Sequence, residues 1–238
     1  MKFKSYLLAL VLAGTGFICN AAPIRVACVG DSITYGSGLK DRQHNSYPVW
    51  LGRWLGEGYD VRNFGVSGAT LLHQGDRPYI VQHAYTNALD FKADIFIINL
   101  GANDSKHPGD GSLDAAKAVN NWQYSSNFVS DYEAMIATFK NSSPSAKFYV
   151  CLPTPDYPGR WGINDKTIRE EIIPMVRTIA KDTGASIIDL YTAMSGKAEL
   201  FPDTVHPNDE GAKEMAAAVY HALEGHAPTE TAASTVAK

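Results

Sequence analysis

The sequence predicts an α/β protein: a three-layer α/β/α sandwich around a five-stranded, mainly parallel, doubly wound sheet in the order 2-1-3-4-5. Three observations predict it. Short β-rich runs alternate with longer stretches of helical apolar spacing. Three runs, Ile24–Val29 (IRVACV), Ile95–Leu100 (IFIINL) and Lys147–Leu152 (KFYVCL), are apolar almost throughout, as strands covered on both faces are. Polar, glycine-containing segments follow the strand ends, where open α/β sheets bind their ligands.

Residues 1–22 come before the first strand. Lys2 and Lys4 precede an apolar run from Tyr6 to Phe17, and small residues follow. This is the layout of a secretory signal peptide, cut after Ala21 or Ala22. The run is short for a bilayer span, and no later one is longer, so a secreted or periplasmic protein without stable membrane insertion is expected. Loss of the leader leaves 19 basic and 25 acidic side chains, a net of −6. That balance argues against a nucleic-acid binder, which shows a basic excess. A hydrophobic content of 45% with 19% charged residues excludes a disordered or collagen-like chain.

Asp60–Asn63 and Ser186–Leu190 supply the other two strands. Tyr47, Trp50, Leu51, Trp54 and Leu55 recur at helical spacing, as do Phe128, Tyr132, Met135, Ile136 and Phe139. Ile168, Ile172, Met175, Val176 and Ile179 form a third stripe, which Pro174 is expected to break or kink. Met215, Val219 and Leu223 mark the last helix. The domain is placed at residues 23–224, and residues 225–238 lose apolar periodicity, as a disordered tail does. Cys28 and Cys151 fall on strands one and four, two spacings of about 4.8 Å apart. That is too far for a disulfide, so both are read as buried free thiols.

Four short blocks carry the chemistry. Gly30-Asp31-Ser32 follows strand one, where a serine entering a helix meets free backbone N–H groups; a simple helix cap is the bland alternative. Asn63 to Thr70 follows strand two, and Gly65 could bring a bare N–H close to a substrate oxygen, although a turn glycine is the commoner role. Gly101-Ala102-Asn103-Asp104 follows strand three and would present the Asn103 amide at the same edge. Asp203-Thr204-Val205-His206 precedes the last helix. Its aspartate can accept the histidine Nδ1 hydrogen and leave Nε2 facing a serine. No histidine or cysteine spacing indicates a metal site.

Together these blocks resemble the SGNH hydrolase superfamily, also called GDSL esterases, from Ile24 to about Leu223. The four name-giving residues would be Ser32, Gly65, Asn103 and His206. The resemblance implies Ser32 as nucleophile, His206 as general base and Asp203 as its orienter. It also implies an oxyanion hole made by the Ser32 and Gly65 N–H groups and the Asn103 amide. Asp31 would brace the serine turn, and neither metal nor organic cofactor is implied.

The segments GANDSKH (Gly101–His107), Asn121-Trp122, CLPTP (Cys151–Pro155), Trp161-Gly162-Ile163 and FPDTVHPN (Phe201–Asn208) are similar to those of sialate O-acetylesterases and other carbohydrate acetylesterases. That implies an acetylated sugar or polysaccharide as substrate. Trp122, Tyr124, Tyr157 and Trp161 lie in loops where rings could stack on sugar. Arg160 and Lys106 could meet a substrate carboxylate, although solvated surface charge is their commoner role. Two alternatives stand beside the acetylesterase: a thioesterase or lysophospholipase with the same triad, and a non-catalytic carbohydrate-binding relative.

Overall fold

The computed structural model describes residues 22–108, 119–158 and 160–229. The expected leader, apart from its last residue, and the expected tail beyond residue 229 lie outside them. β1 (Ile24–Gly30) leads into the single-turn helix α1 (Ser32–Tyr35), then α2 (Arg42–Asn45) and α3 (Tyr47–Leu55). β2 (Tyr59–Gly65), α4 (His83–Phe91), β3 (Ile95–Asn99) and α5 (Phe128–Ser142) follow. Next come β4 (Lys147–Leu152), α6 (Asp165–Thr167), α7 (Ile173–Thr183) and β5 (Ser186–Asp189). The chain then forms α8 (Leu190–Met194) and α9 (Asp209–Glu224).

The strands form one sheet in the order β2-β1-β3-β4-β5, every neighbouring pair parallel. Alternation along each strand divides the core in two. Ala27, Val29, Phe96, Ile98, Val150 and Leu152 face α4, α5 and α7. Val26, Cys28, Ile97, Cys151 and Ile188 face α3, α8 and α9. Helices therefore cover both faces, and the near-continuous apolar strands follow from that. Cys28 and Cys151 are free and fully buried, and burial raises the pKa of both thiols.

Three elements differ from expectation. β2 runs longer, because at the sheet edge its residues are only partly buried and carry a weak apolar signal. α4 buries only Ala88, so it shows little stripe. Pro174 does not break its helix. Ile168–Ile172 is wound as a π-turn, and α-helix resumes at Ile173. Proline lacks the N–H and crowds the carbonyl four residues back, and a widened turn accommodates both. Ile168, Ile172, Val176 and Ile179 remain fully buried.

Gly65 ends β2 against α1. A β-carbon there would stand 2.2 Å from the Tyr35 backbone nitrogen. Gly65→Ala is expected to push β2 and α1 apart and cost about 1–3 kcal/mol in urea unfolding. A variant as stable as the parent would show that this approach is not close.

Candidate active site

The sheet reverses its winding between β1 and β3, and loops from both sides converge there on the carboxyl edge. Asp31 caps α1, its Oδ1 accepting the Ile33 N–H at 2.9 Å, and this sets Ser32 at the first helical position. His206 comes from the loop ahead of α9, whose cap Asn208 accepts the Gly211 N–H at 2.9 Å. Within that loop Asp203 Oδ1 accepts the Val205 and His206 N–H groups at 3.0 and 2.7 Å. Asp203 Oδ2 lies 2.7 Å from His206 Nδ1, and His206 Nε2 lies 2.8 Å from Ser32 Oγ. A carboxylate only accepts, so Nδ1 carries the proton and Nε2 is left to accept from the serine hydroxyl.

Burial pushes the Asp203 carboxyl up, but its bonds from the His206 N–H, the imidazole and the Val205 N–H outweigh this and hold it below the ordinary carboxylate range. The turn is strained, since Thr204, a β-branched residue, adopts φ +76°.

Ser32 and His206 open on a cavity of about 190 Å³, which Ser67, Gly68 and Asn103 also line. Lys106, Trp161 and Ile163 complete its wall. Among the described residues the Ser32 and Gly68 N–H groups have no hydrogen-bond partner. Gly68 holds φ +76°, a conformation that favours glycine. Asn103 Nδ2 donates to Asp31 Oδ2 at 3.4 Å, so Asp31 also orients that amide.

Gly65 is the correction. Its N–H is bonded to Asn63 Oδ1 at 2.9 Å, and it does not line the cavity. Its role is close packing against α1. Gly68, three residues on in the same block, reaches the cavity instead. The paired glycines of that block held this signal, but sequence does not say which N–H a side chain takes.

Buried carboxyls brace the site. Asp104 accepts the Leu71 and Leu72 N–H groups at 3.0 and 2.7 Å, tying the loop after β2 to the turn after β3. Burial raises Asp104 to about 6 and Asp31 to about 7. Asp156, beyond β4, is 7% exposed, and among the described residues neither carboxyl oxygen has a hydrogen-bond partner. Burial first, then the Asp165 and Asp203 carboxylates, raises it to about 8.

Of the expected sugar contacts, Trp161 lines the cavity. It is 42% exposed, holds φ +55°, and its ring centroid is 5.4 Å from that of His206. Arg160 lies over the Trp161 ring at 5.1 Å. The other three belong to packing. Trp122 is buried against Phe128, with its Nε1 donating to Glu171 at 2.8 Å. Tyr124 packs on the core, and the Tyr157 hydroxyl donates to the Met194 carbonyl at 2.7 Å. Lys106 is no solvated surface charge: it is 8% exposed and paired with Asp76 at 3.2 Å. Asp76 and Asp156 went unrecognised, and Asp104 and Asn121 were named without a bracing role, because isolated polar residues in loops give no periodic signal. Among the described residues no group of three or more His, Cys, Asp or Glu side chains is placed to hold a metal ion.

The fold is an α/β/α sandwich around a five-stranded parallel sheet, with a Ser–His–Asp run at its carboxyl edge. Residues 28–214 match the model of the GDSL-like lipase/acylhydrolase family, and the chain belongs to that family. It is 40% identical over 219 residues to an acetylxylan esterase of Xylanibacter ruminicola, an alignment covering 84% of this chain and 43% of that protein. The chain thus spans less than half the length of this curated relative. Among solved structures, Est24, a carbohydrate acetylesterase from Sinorhizobium meliloti, superposes with a TM-score of 0.61 at 18% identity, covering 85% of this chain and 99% of the other. The acetyl xylan esterase AlAXEase superposes with a TM-score of 0.62 at 19% identity, covering 84% and 100%. At such identities these two similarities speak to the fold.

The Asp156 carboxyl titrates near 8 when folded and in the ordinary carboxylate range when unfolded. Between those values the folded state binds more protons, so this group's contribution to stability falls as pH rises. Asp156→Asn has no such proton to lose. Its melting temperature relative to the parent is expected to rise between about pH 5 and about pH 8. A pH-independent difference would show that Asp156 does not titrate in this range.

Proposed function

We propose that the protein is an exported serine esterase that removes O-acetyl groups from carbohydrate, from sialic acid or a polysaccharide. The single observation that carries the reading is the run Ser32 Oγ–His206–Asp203, joined at 2.8 and 2.7 Å and opening on a cavity. His206 Nε2 takes the hydroxyl proton as Ser32 Oγ attacks the ester carbonyl. The oxyanion that forms is held by the Ser32 N–H, the Gly68 N–H and the Asn103 amide. The imidazolium then gives its proton to the leaving sugar oxygen. A water, deprotonated by the same imidazole, attacks the acyl-enzyme and releases acetate and free Ser32.

The acyl and sugar assignments have separate supports. A volume of about 190 Å³ is below the roughly 300–1,000 Å³ of sites for drug-sized ligands, which favours a short acyl group over the chains of a lysophospholipase. Similarity to an acetylxylan esterase favours acetylated carbohydrate. Trp161 at the cavity mouth offers an exposed aromatic face to a sugar. A non-catalytic binding protein would have no use for a preformed serine–histidine hydrogen bond. Export rests on the leader at residues 1–22, and the mature protein is expected to begin at Ala22 or Pro23 by intact mass.

Ser32→Ala is expected to abolish both acetate release from acetylated glycans and labelling by a serine-reactive phosphonate. Asn103→Ala should lower kcat about 100- to 1,000-fold. A p-nitrophenyl ester series should peak at acetate. A peak at octanoate or beyond would overturn the acetyl assignment, and phosphonate labelling of Ser32→Ala would overturn the nucleophile.

A further inference from the structure

Lys106 is a buried cation on the wall of the reactive cavity, and the serine chemistry above does not use it. Its backbone is clamped. The Asn121 and Trp122 N–H groups donate to its carbonyl at 2.8 and 3.1 Å, and its own N–H reaches the Asn103 carbonyl at 3.4 Å. Its ammonium donates to Asp76 Oδ2 at 3.2 Å. Asp76 is held in turn by Asn121, whose Nδ2 donates to Asp76 Oδ1 at 2.9 Å and whose Oδ1 accepts the Asp76 N–H at 2.9 Å. The same Nδ2 donates to the Asn103 carbonyl at 2.9 Å. Lys106 and Asp76 are thus fixed in register with Asn103, which lines the same cavity as Ser32.

An ammonium carries three donors, and among the described residues only Asp76 accepts from this one. Taking a lysine out of water is costly unless its donors are met, and a buried ion pair is weak evidence for stability. These facts point to a ligand atom that completes the shell. Asp76 already balances the charge at 3.2 Å and would repel a second carboxylate. A neutral oxygen fits, and a sugar hydroxyl is the abundant one next to a sugar ester.

We infer that Lys106 is a specificity-determining residue that donates to the free hydroxyl on the carbon beside the acetylated one. The preferred substrate is then the monoacetate of a vicinal diol. This deepens the esterase reading of the same cavity and rests on it.

The test compares trans-2-hydroxycyclohexyl acetate with cyclohexyl acetate, which differ in that hydroxyl alone. The native enzyme is expected to favour the hydroxylated ester by about tenfold or more in kcat/KM, the range of a hydrogen bond to a charged group. In Lys106→Met the ratio should collapse toward one. Equal kcat/KM for the two esters in the native enzyme, or turnover of neither, overturns the inference, and this arm needs no folded variant. An unchanged ratio in Lys106→Met overturns it too. General damage to the site lowers both esters together and leaves the ratio in place. A retained diol preference without acetate release from any glycan would instead fault the carbohydrate reading.

Discussion

Burial of both faces of β1 and β3 is the constraint on which the rest of the structure depends. Val26 to Val29 and Phe96 to Ile98 are fully buried, so helices must cover the sheet above and below. Parallel strands joined through such helices wind one way on each side of the starting strand, and the winding reverses where β1 meets β3. The reversal opens a crevice at the carboxyl ends. Ser32 and Asn103 enter it from opposite sides without any loop having to reach far. His206, 174 residues from Ser32 in the chain, arrives because α9 packs against α3 on one face of the same sheet.

Loop residues such as Leu71, Leu72 and Val205 are buried in the core, and carboxylates and amides fix the backbone around them. Asp31 serves two purposes, capping α1 with one oxygen and receiving the Asn103 amide with the other. Asp104 gathers the turn after β2. Asn121 donates to both the Asn103 carbonyl and Asp76, and this ties the turn after β3 to the loop after β2. Such bracing costs desolvation, and burial raises the pKa values of Asp31 and Asp104 accordingly.

The fold was legible because its signal is periodic. Strands buried on two faces cannot avoid apolar runs, and amphipathic helices cannot avoid stripes. What escaped was weakly buried: β2 at the edge and α4, with Ala88 alone inside. In the site, Ser32 was legible because it follows β1 directly at a helix start, and Asp203 and His206 because an aspartate three residues ahead of a histidine can share its loop. Gly65 and Gly68 were not separable, since the choice depends on whether Asn63 takes an N–H. Trp122 and Tyr157 read as sugar platforms only because aromatic residues in loops look alike until their Nε1 or hydroxyl finds a partner within the fold. Lys106 failed in the opposite sense, being a charge expected in water that the clasp draws inside.

The distribution of charge around the cavity follows from these same contacts. Asp203 receives two backbone N–H bonds and the imidazole, enough to remain an anion despite burial. Asp156 lacks such a set of donors among the described residues, and burial raises its carboxyl to about 8. The result is one fixed anion behind His206, placed to stabilise an imidazolium, with the neighbouring carboxyl silent. On the cavity wall Lys106 and Asp76 pair at 3.2 Å, and the Lys106 backbone N–H reaches the Asn103 carbonyl at 3.4 Å. In the proposed reaction, negative charge growing on a carbonyl oxygen beside Ser32 would meet N–H groups, while positive charge growing on the imidazole would meet the Asp203 carboxylate. His206 stands between Ser32 and Asp203, so the two ends of the proposed reaction lie on opposite sides of one imidazole ring.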